Sequence, residues 1–379
     1  RIGAKLASKR TNLPTPACPR PMLAHGPRQV DSQGMFIVSL IRDPMTSAGK
    51  TIVKYGGAAL VAAIVAFVVA VWFMGGRLAE PARRVAGEPP EFGVEAVELE
   101  SGSGGIIRGW YHEARDNRGS VLLLHGVRSS RHGMVGRARF LVNAGYSVML
   151  VDLQAHGESD GDHITFGYLE ANDVRAAIEF LRGRRPGASV GVIGTSLGGA
   201  ATLLAAQPLG VDALVLEAVY PDVRQAIENR LRLRFGAVAS ALTPLLALQL
   251  KPRLGVGPNE LRPIDQIHLV EAPVLLIAGQ DDRRTTLRES RALFSAAVEP
   301  KELWVVPGAR HVDFHRFDPE EYEGRVLRFL DLQFSRQTDE ALRPTVIPLA
   351  YASVLPAGER PRQAGHVEAG GSRSDRNDR

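Results

Sequence analysis

What the sequence has least of is cysteine: Cys18 stands alone among 379 residues. No disulfide can close within the chain, and neither a thiolate metal cluster nor a redox pair can be built from it. Dense ligand sets such as Cys-x-x-Cys are missing as well, so no catalytic metal is expected. The glycines at 102–105 join two early apolar stretches and do not open a helix, which argues against a dinucleotide site. No cofactor is therefore expected. An excess of charge on the body is also lacking. Residues 1–54 carry nine Lys or Arg (Arg1, Lys5, Lys9, Arg10, Arg20, Arg28, Arg42, Lys50, Lys54) against Asp31 and Asp43, whereas the rest of the chain holds 37 basic and 39 acidic residues. The formal net charge of +5 thus belongs to the N-terminus, and nucleic-acid binding loses its main support.

What is present begins with an apolar run. Residues 1–34 are rich in Pro, Arg and small residues without apolar period, and 1–54 as a whole reads as a disordered basic segment. Met35 and Met45 are both candidate starts, so residues 1–44 need not belong to the native chain. From Ala58 to Met74 the sequence AALVAAIVAFVVAVWFM carries no charge, and a helix over 56–76 spans roughly 31 Å, the thickness of a bilayer core. A buried core helix would show a polar face, and a cleaved signal peptide would be shorter and end in a small-x-small site. The expectation is an uncleaved membrane anchor over 55–76, with Trp72 near the interface. Lys50 and Lys54 on one side nearly balance Arg77, Arg83 and Arg84 on the other; a short segment, one span and a large C-terminal domain fit a single-pass signal anchor with the domain outside the cytoplasm.

After a linker at 77–91, apolar runs alternate with helical patterns over 92–335. Strands are expected at 94–100, 106–114, 120–126, 147–154, 189–196, 212–219, 274–282 and 302–308, with helices near 131–144, 170–183, 197–206, 285–297 and 319–334. From the third onward most of the strands are near-continuous Val, Ile and Leu, which suits parallel strands covered on both faces. The fold class is α/β: a mostly parallel, doubly wound sheet preceded by one transmembrane helix. The connection at 221–268 is too long for a crossover and reads as an inserted helical lid. Within it FGAVASALTPLLALQL (235–250) has no charge and suits either packing onto the body or the roof of an apolar pocket. Residues 336–379 read as a disordered tail.

The strand at 189–196 runs into Gly194-Thr195-Ser196-Leu197-Gly198 and then a helix. Gly-x-Ser-x-Gly in that setting is a nucleophile elbow, in which Gly194 and Gly198 relieve the crowding of a sharp strand-to-helix turn. Serine needs a base, and the base an orienting acid. Asp281 and Asp282 follow one later strand and His311 follows the next, in the order Ser, acid, His. For the oxyanion of a tetrahedral intermediate the elbow offers the Leu197 N–H, and the loop His125-Gly126-Val127 offers the Val127 N–H. Asp152, His156, Glu170 and Asp173 are assigned to holding loops and capping a helix.

These features, with HGVRSS at 125–130, DLQAHGESDGD at 152–162, GTSLGG at 194–199, IAGQDDRRT at 277–285 and GARHVDFH at 308–315, resemble the α/β-hydrolase superfamily, near its serine aminopeptidase-like and membrane-anchored esterase branch. The resemblance covers roughly residues 90–335 and implies an α/β-hydrolase fold. It picks Asp282 as the end of Gly279-Gln280-Asp281-Asp282, and His311 over His315. It implies a membrane-anchored serine hydrolase that cleaves a carboxylic ester, thioester or lipid-like ester through an acyl-enzyme on Ser196. The partners would be a small-molecule ester with an apolar group and the lipid bilayer. Two alternatives stand beside it: an aminopeptidase-like enzyme holding a substrate ammonium with Glu217, Asp222 or Glu228, and a non-catalytic binding module. The oligomeric state is not legible.

Overall fold

The computed structural model describes residues 47–342, apart from 86, 117, 206 and 207. Residues 1–46 of the expected N-terminal segment and 343–379 of the expected tail lie outside the described residues. The chain divides into two compact units, one through Ala66 and one from Phe67.

The described part of the first unit is the beginning of α1 (Ser47–Ala79). This helix starts earlier and ends later than the apolar run because no proline interrupts the chain between Pro44 and Pro81. Among the described residues, Lys50–Ala79 is the one helix long and apolar enough to cross a membrane. Most of its large apolar side chains, including Leu60, Ile64 and Phe67, are exposed.

The second unit is built on an eight-stranded sheet: β1 (Glu95–Ser101), β2 (Gly105–His112), β3 (Ser120–Leu124), β4 (Ser147–Val151), β5 (Val190–Thr195), β6 (Ala213–Glu217), β7 (Val274–Gly279) and β8 (Lys301–Val306). The spatial order is β8-β7-β6-β5-β3-β4-β2-β1. Strand β2 runs antiparallel to both β1 and β4, and the other pairings are parallel. Each of the eight expected strands is found.

Strands β3, β5, β6 and β7 are buried almost end to end, so both faces must be covered. Because side chains alternate across a strand, Leu122, Leu124, Val192 and Leu216 join one apolar cluster. Val121, Leu123, Ile193 and Val215 join the other. Helices α3 (Glu170–Arg184), α4 (Leu197–Leu204) and α8 (Leu287–Ala296) supply the first through residues such as Val174, Leu203 and Leu293; α2 (Val135–Asn143) and α10 (Pro319–Leu342) supply the second through Ala138, Tyr322 and Leu330. Helix α10 extends beyond the expected domain end at 335, since RQTDEAL offers helix formers and no breaker before Pro344.

The segment expected as a linker is pinned to the body. Ala82 and Arg83 form a short parallel ribbon with His156 and Gly157. The Ala79 carbonyl accepts from the Ile164 N–H at 2.9 Å. The insertion at 221–268 is helical, with α5 (Val223–Phe235), α6 (Ala239–Ala247) and α7 (Leu250–Leu254) joined by short turns, and α9 (Phe314–Phe317) follows the last strand. Asn229 on α5 donates to both Glu289 carboxylate oxygens, at 2.8 and 2.9 Å, and to the Arg284 carbonyl at 3.2 Å. The insertion is thereby tied to the loop that carries Asp282.

Candidate active site

Parallel pairing brings the carboxyl ends of β3, β5 and β6 level, with Leu124 opposite Gly194 and Thr195 opposite Glu217. Beyond Thr195 the chain reverses into α4 within one residue. Ser196 makes that turn at φ 48°, ψ −102°, a conformation that costs a non-glycine residue about 1–3 kcal/mol. Its N–H donates to the Glu217 carbonyl at 2.7 Å, and its own carbonyl accepts from the Ala200 N–H at 2.9 Å. The flanking glycines are sterically required. A Cβ on Gly194 would stand 2.6 Å from the Gly199 nitrogen, and one on Gly198 would stand 2.6 Å from the Leu124 carbonyl oxygen.

The residues expected as acid and base lie beyond the ends of β7 and β8. Asp282 is 4% exposed; its Oδ1 accepts from the N–H groups of Arg284 at 2.7 Å and Thr285 at 3.0 Å, and its Oδ2 lies 2.7 Å from His311 Nδ1. With Nδ1 bound to a carboxylate, Nε2 is left as the proton acceptor. Asp281 is exposed. His315, four residues after His311 and on the short helix that follows, is held by Glu323 at 2.8 Å and packs on Phe140 and Tyr322. The two histidines thus turn to different carboxylates, and no cluster suited to a metal ion occurs among the described residues. Ser196 is 3% exposed, and its Oγ makes no hydrogen bond among the described residues. The structure therefore joins Asp282 to His311 and leaves the Ser196 hydroxyl unjoined at the same sheet edge. Catalytic contacts of this kind often tighten only when substrate binds.

The N–H groups of Leu197 and Val127 have no acceptor among the described residues. The loop bearing Val127 lies against Ser196: a Cβ on Gly126 would meet the Ser196 Cβ at 3.7 Å. His125 holds this loop, with Nε2 accepting from the Leu153 N–H at 3.1 Å and Nδ1 donating to the Gly126 carbonyl at 2.8 Å. Full burial, aided by the His156 ring 5.0 Å away, pushes His125 down to about 3. The polar residues after β4 act on loops too. Asp152 accepts from the Arg131 guanidinium and N–H, both at 2.6 Å; Glu170 accepts from the N–H groups of Thr165 and Gly167; Asp173 accepts from the Gln154 N–H.

Sequence reasoning missed what lies beneath the elbow. Glu217, fully buried, receives Arg137 Nε at 2.9 Å, Arg137 Nη2 at 2.6 Å, the Tyr322 hydroxyl at 2.5 Å and the Thr195 hydroxyl at 3.2 Å. Arg137 also reaches Asp313, two residues past His311, at 2.9 Å. Burial opposes the Arg137 charge, and Glu217 overrides it, so the guanidinium is held protonated more firmly than usual. One buried cation thus connects the turn that holds Ser196 with the loop that holds His311. A lone glutamate closing the apolar strand ALVLE was the available signal, because a buried carboxylate needs a partner. Glu217 is thereby removed as a free acid for a substrate ammonium. Asp222 is engaged with Arg262, and Glu228 with Arg232 at 2.6 Å.

Two outcomes follow from this geometry. Arg137→Met should lower unfolding stability by about 3–5 kcal/mol, because it strands the Glu217 charge; Arg137→Met with Glu217→Gln should recover a large part of the loss in urea titrations. The unfolded chain binds a proton at His125 near pH 6.5, and the folded chain does not until about pH 3. Stability should therefore fall as pH drops through this window, and His125→Asn should make the pH dependence of urea unfolding shallower.

Comparison with known proteins agrees with this fold. Residues 115–263 match the family model described as serine aminopeptidase, S33. The chain is 32% identical over 235 residues to the uncharacterized protein Rv2307c of Mycobacterium tuberculosis, covering 61% of this chain and 75% of that protein. It is 24% identical over 240 residues to the uncharacterized protein YqkD of Bacillus subtilis, covering 62% and 79%. Among solved structures it is similar to the Pyrococcus furiosus esterase Pf2001, at 25% identity and a TM-score of 0.55 over 67% of this chain and 100% of that one. The chain belongs to the α/β-hydrolase family, in its serine aminopeptidase (S33) branch.

Proposed function

We propose that the protein is a membrane-anchored serine hydrolase that cleaves carboxylic esters, lipid-like esters or thioesters among them, through an acyl-enzyme on Ser196. The observation that carries this reading is the 2.7 Å contact of His311 Nδ1 with a carboxylate already fixed by two backbone N–H groups. It stands at the sheet edge where Ser196 occupies a strained turn. In the proposed reaction Ser196 Oγ attacks the ester carbonyl and its proton passes to His311 Nε2. Asp282 stabilises the imidazolium, and the Leu197 and Val127 N–H groups receive the oxyanion. Collapse of the tetrahedral intermediate breaks the bond to the alkoxide, which takes the proton from His311. Water, deprotonated by His311, then releases the acid.

An ester is favoured over a peptide because the acids best placed to hold an ammonium, Glu217, Asp222 and Glu228, are all engaged by arginines. The similar Pyrococcus protein is an esterase. The length and composition of α1 support a single-pass anchor.

The test is turnover of p-nitrophenyl esters of increasing acyl length. Ser196→Ala should abolish turnover while leaving the unfolding curve intact. Asp282→Asn should lower turnover on the order of 10³–10⁴-fold and Asp281→Asn only slightly. Unchanged turnover in Ser196→Ala would overturn the mechanism, and a larger loss at Asp281 would reassign the acid.

A further inference from the structure

Helix α6 is apolar on both sides. Its inner face, with Ala239, Leu242 and Leu246, is buried in a cluster with Leu231, Val71 and Met74. Its outer face carries Val238, Ala241, Pro244, Leu245 and Leu248 at helical spacing, all of them exposed, with Leu248 at 73% and Val238 at 58%. A helix that faces water normally shows it a polar stripe; here no charged residue occurs from Phe235 to Leu250.

Two further observations say what covers this face. The inner side of α6 packs on Val71 and Met74, which belong to the last apolar turns of α1. Gln249 Nε2 donates to the Val71 carbonyl at 3.1 Å and to the Leu245 carbonyl at 3.2 Å. The Arg253 guanidinium bonds to the Trp72 carbonyl and stacks on the Trp72 ring, 3.8 Å from its centroid. Leu245 and Leu248 therefore stand level with the end of the apolar run, where a span through α1 meets the headgroups. The flanks are rich in cations, of which Arg232 pairs with Glu228 and Lys251 with Glu260 just outside them. From Asn229 to Asn259 there are five cations (Arg230, Arg232, Arg234, Lys251, Arg253) and no Asp or Glu. An apolar face bounded by cations is the composition of an element lying in the interface of an anionic bilayer.

We propose that the outer face of α6 is a second lipid contact, seated at the headgroup–acyl boundary of an anionic membrane beside the point where α1 leaves it. The proposal rests on reading α1 as a span and adds that the helical insertion is itself membrane-docked. It commits to lipid, with a second copy of the chain as the competing occupant.

The test uses the full chain with Cys18→Ser as background and one introduced cysteine at a time, each labelled with an environment-sensitive NBD fluorophore. The substitutions are Leu248→Cys and Ala241→Cys on the outer face, Ile64→Cys in the span and Glu320→Cys on exposed α10. Each protein is reconstituted into phosphatidylcholine vesicles with and without phosphatidylglycerol, and quenching by brominated acyl chains is read. The expected result is quenching at 248 and 241 that approaches that at 64, is stronger with phosphatidylglycerol, and is absent at 320. Quenching at 64 without quenching at 248 and 241 overturns the proposal and leaves the span intact. An apolar emission shift at 248 that bromine does not quench also overturns it, in favour of a second copy. Quenching at 248 and 241 without any at 64 overturns the span reading and keeps the lipid contact.

Discussion

The reversal of the chain at Ser196 constrains everything at the carboxyl edge of the sheet. A strand that enters a helix within one residue forces a positive φ on a side chain that dislikes it, and leaves no room for a Cβ two residues before or after. Such a turn persists only where its surroundings hold it on all sides. Here the Glu217 carbonyl holds the Ser196 N–H, α4 holds its carbonyl, and Leu124 closes over Gly198. The hydroxyl is presented at the sheet edge because the strands on either side of β5 end at the same level.

Below that turn sits a charge, and its burial explains a second layer of the design. Placing Glu217 at the end of β6 lets its carbonyl serve the elbow, but its carboxylate must then be satisfied inside the protein. Arg137, Tyr322 and Thr195 do so, and Arg137 extends the connection to Asp313 behind His311. A buried ion pair thus links the turn at Ser196 to the loop that carries His311. The exit of α1 is integrated with the body in a comparable way: Val71 and Met74 complete the core under α6, and residues 82–83 pair with the loop after β4.

The sequence was most informative where one physical requirement left few alternatives. From the third strand onward, near-continuous Val, Ile and Leu runs meant strands buried on both faces, as β3 to β7 are, and all eight expected strands are present. The glycine spacing around Ser196 announced a turn that only that spacing permits. Segment ends were less legible: α1 and α10 overrun their expected limits because helix propensity continues past the apolar pattern that defined them. The supposed linker looked loose for want of periodicity, yet its backbone pairs with a loop 74 residues downstream, information carried by the partner and not by the segment. The arginine network was hidden for the same reason, since Arg137 and Tyr322 meet Glu217 from helices 80 residues before it and 105 after. For the outer face of α6, absence of charge over 235–250 was visible, but which residues turn outward required the fold.

The central claim is that the residue at the strained turn is a nucleophile, and covalent capture tests it most directly. The full chain would be incubated with a fluorophosphonate, digested, and the modified peptide sequenced by mass spectrometry. The account predicts a phosphonyl adduct on Ser196, lost when His311 is replaced by alanine, since the hydroxyl is activated only through that base. A folded protein that takes no label, or takes it on another residue, would contradict the account and return the fold to a binding role.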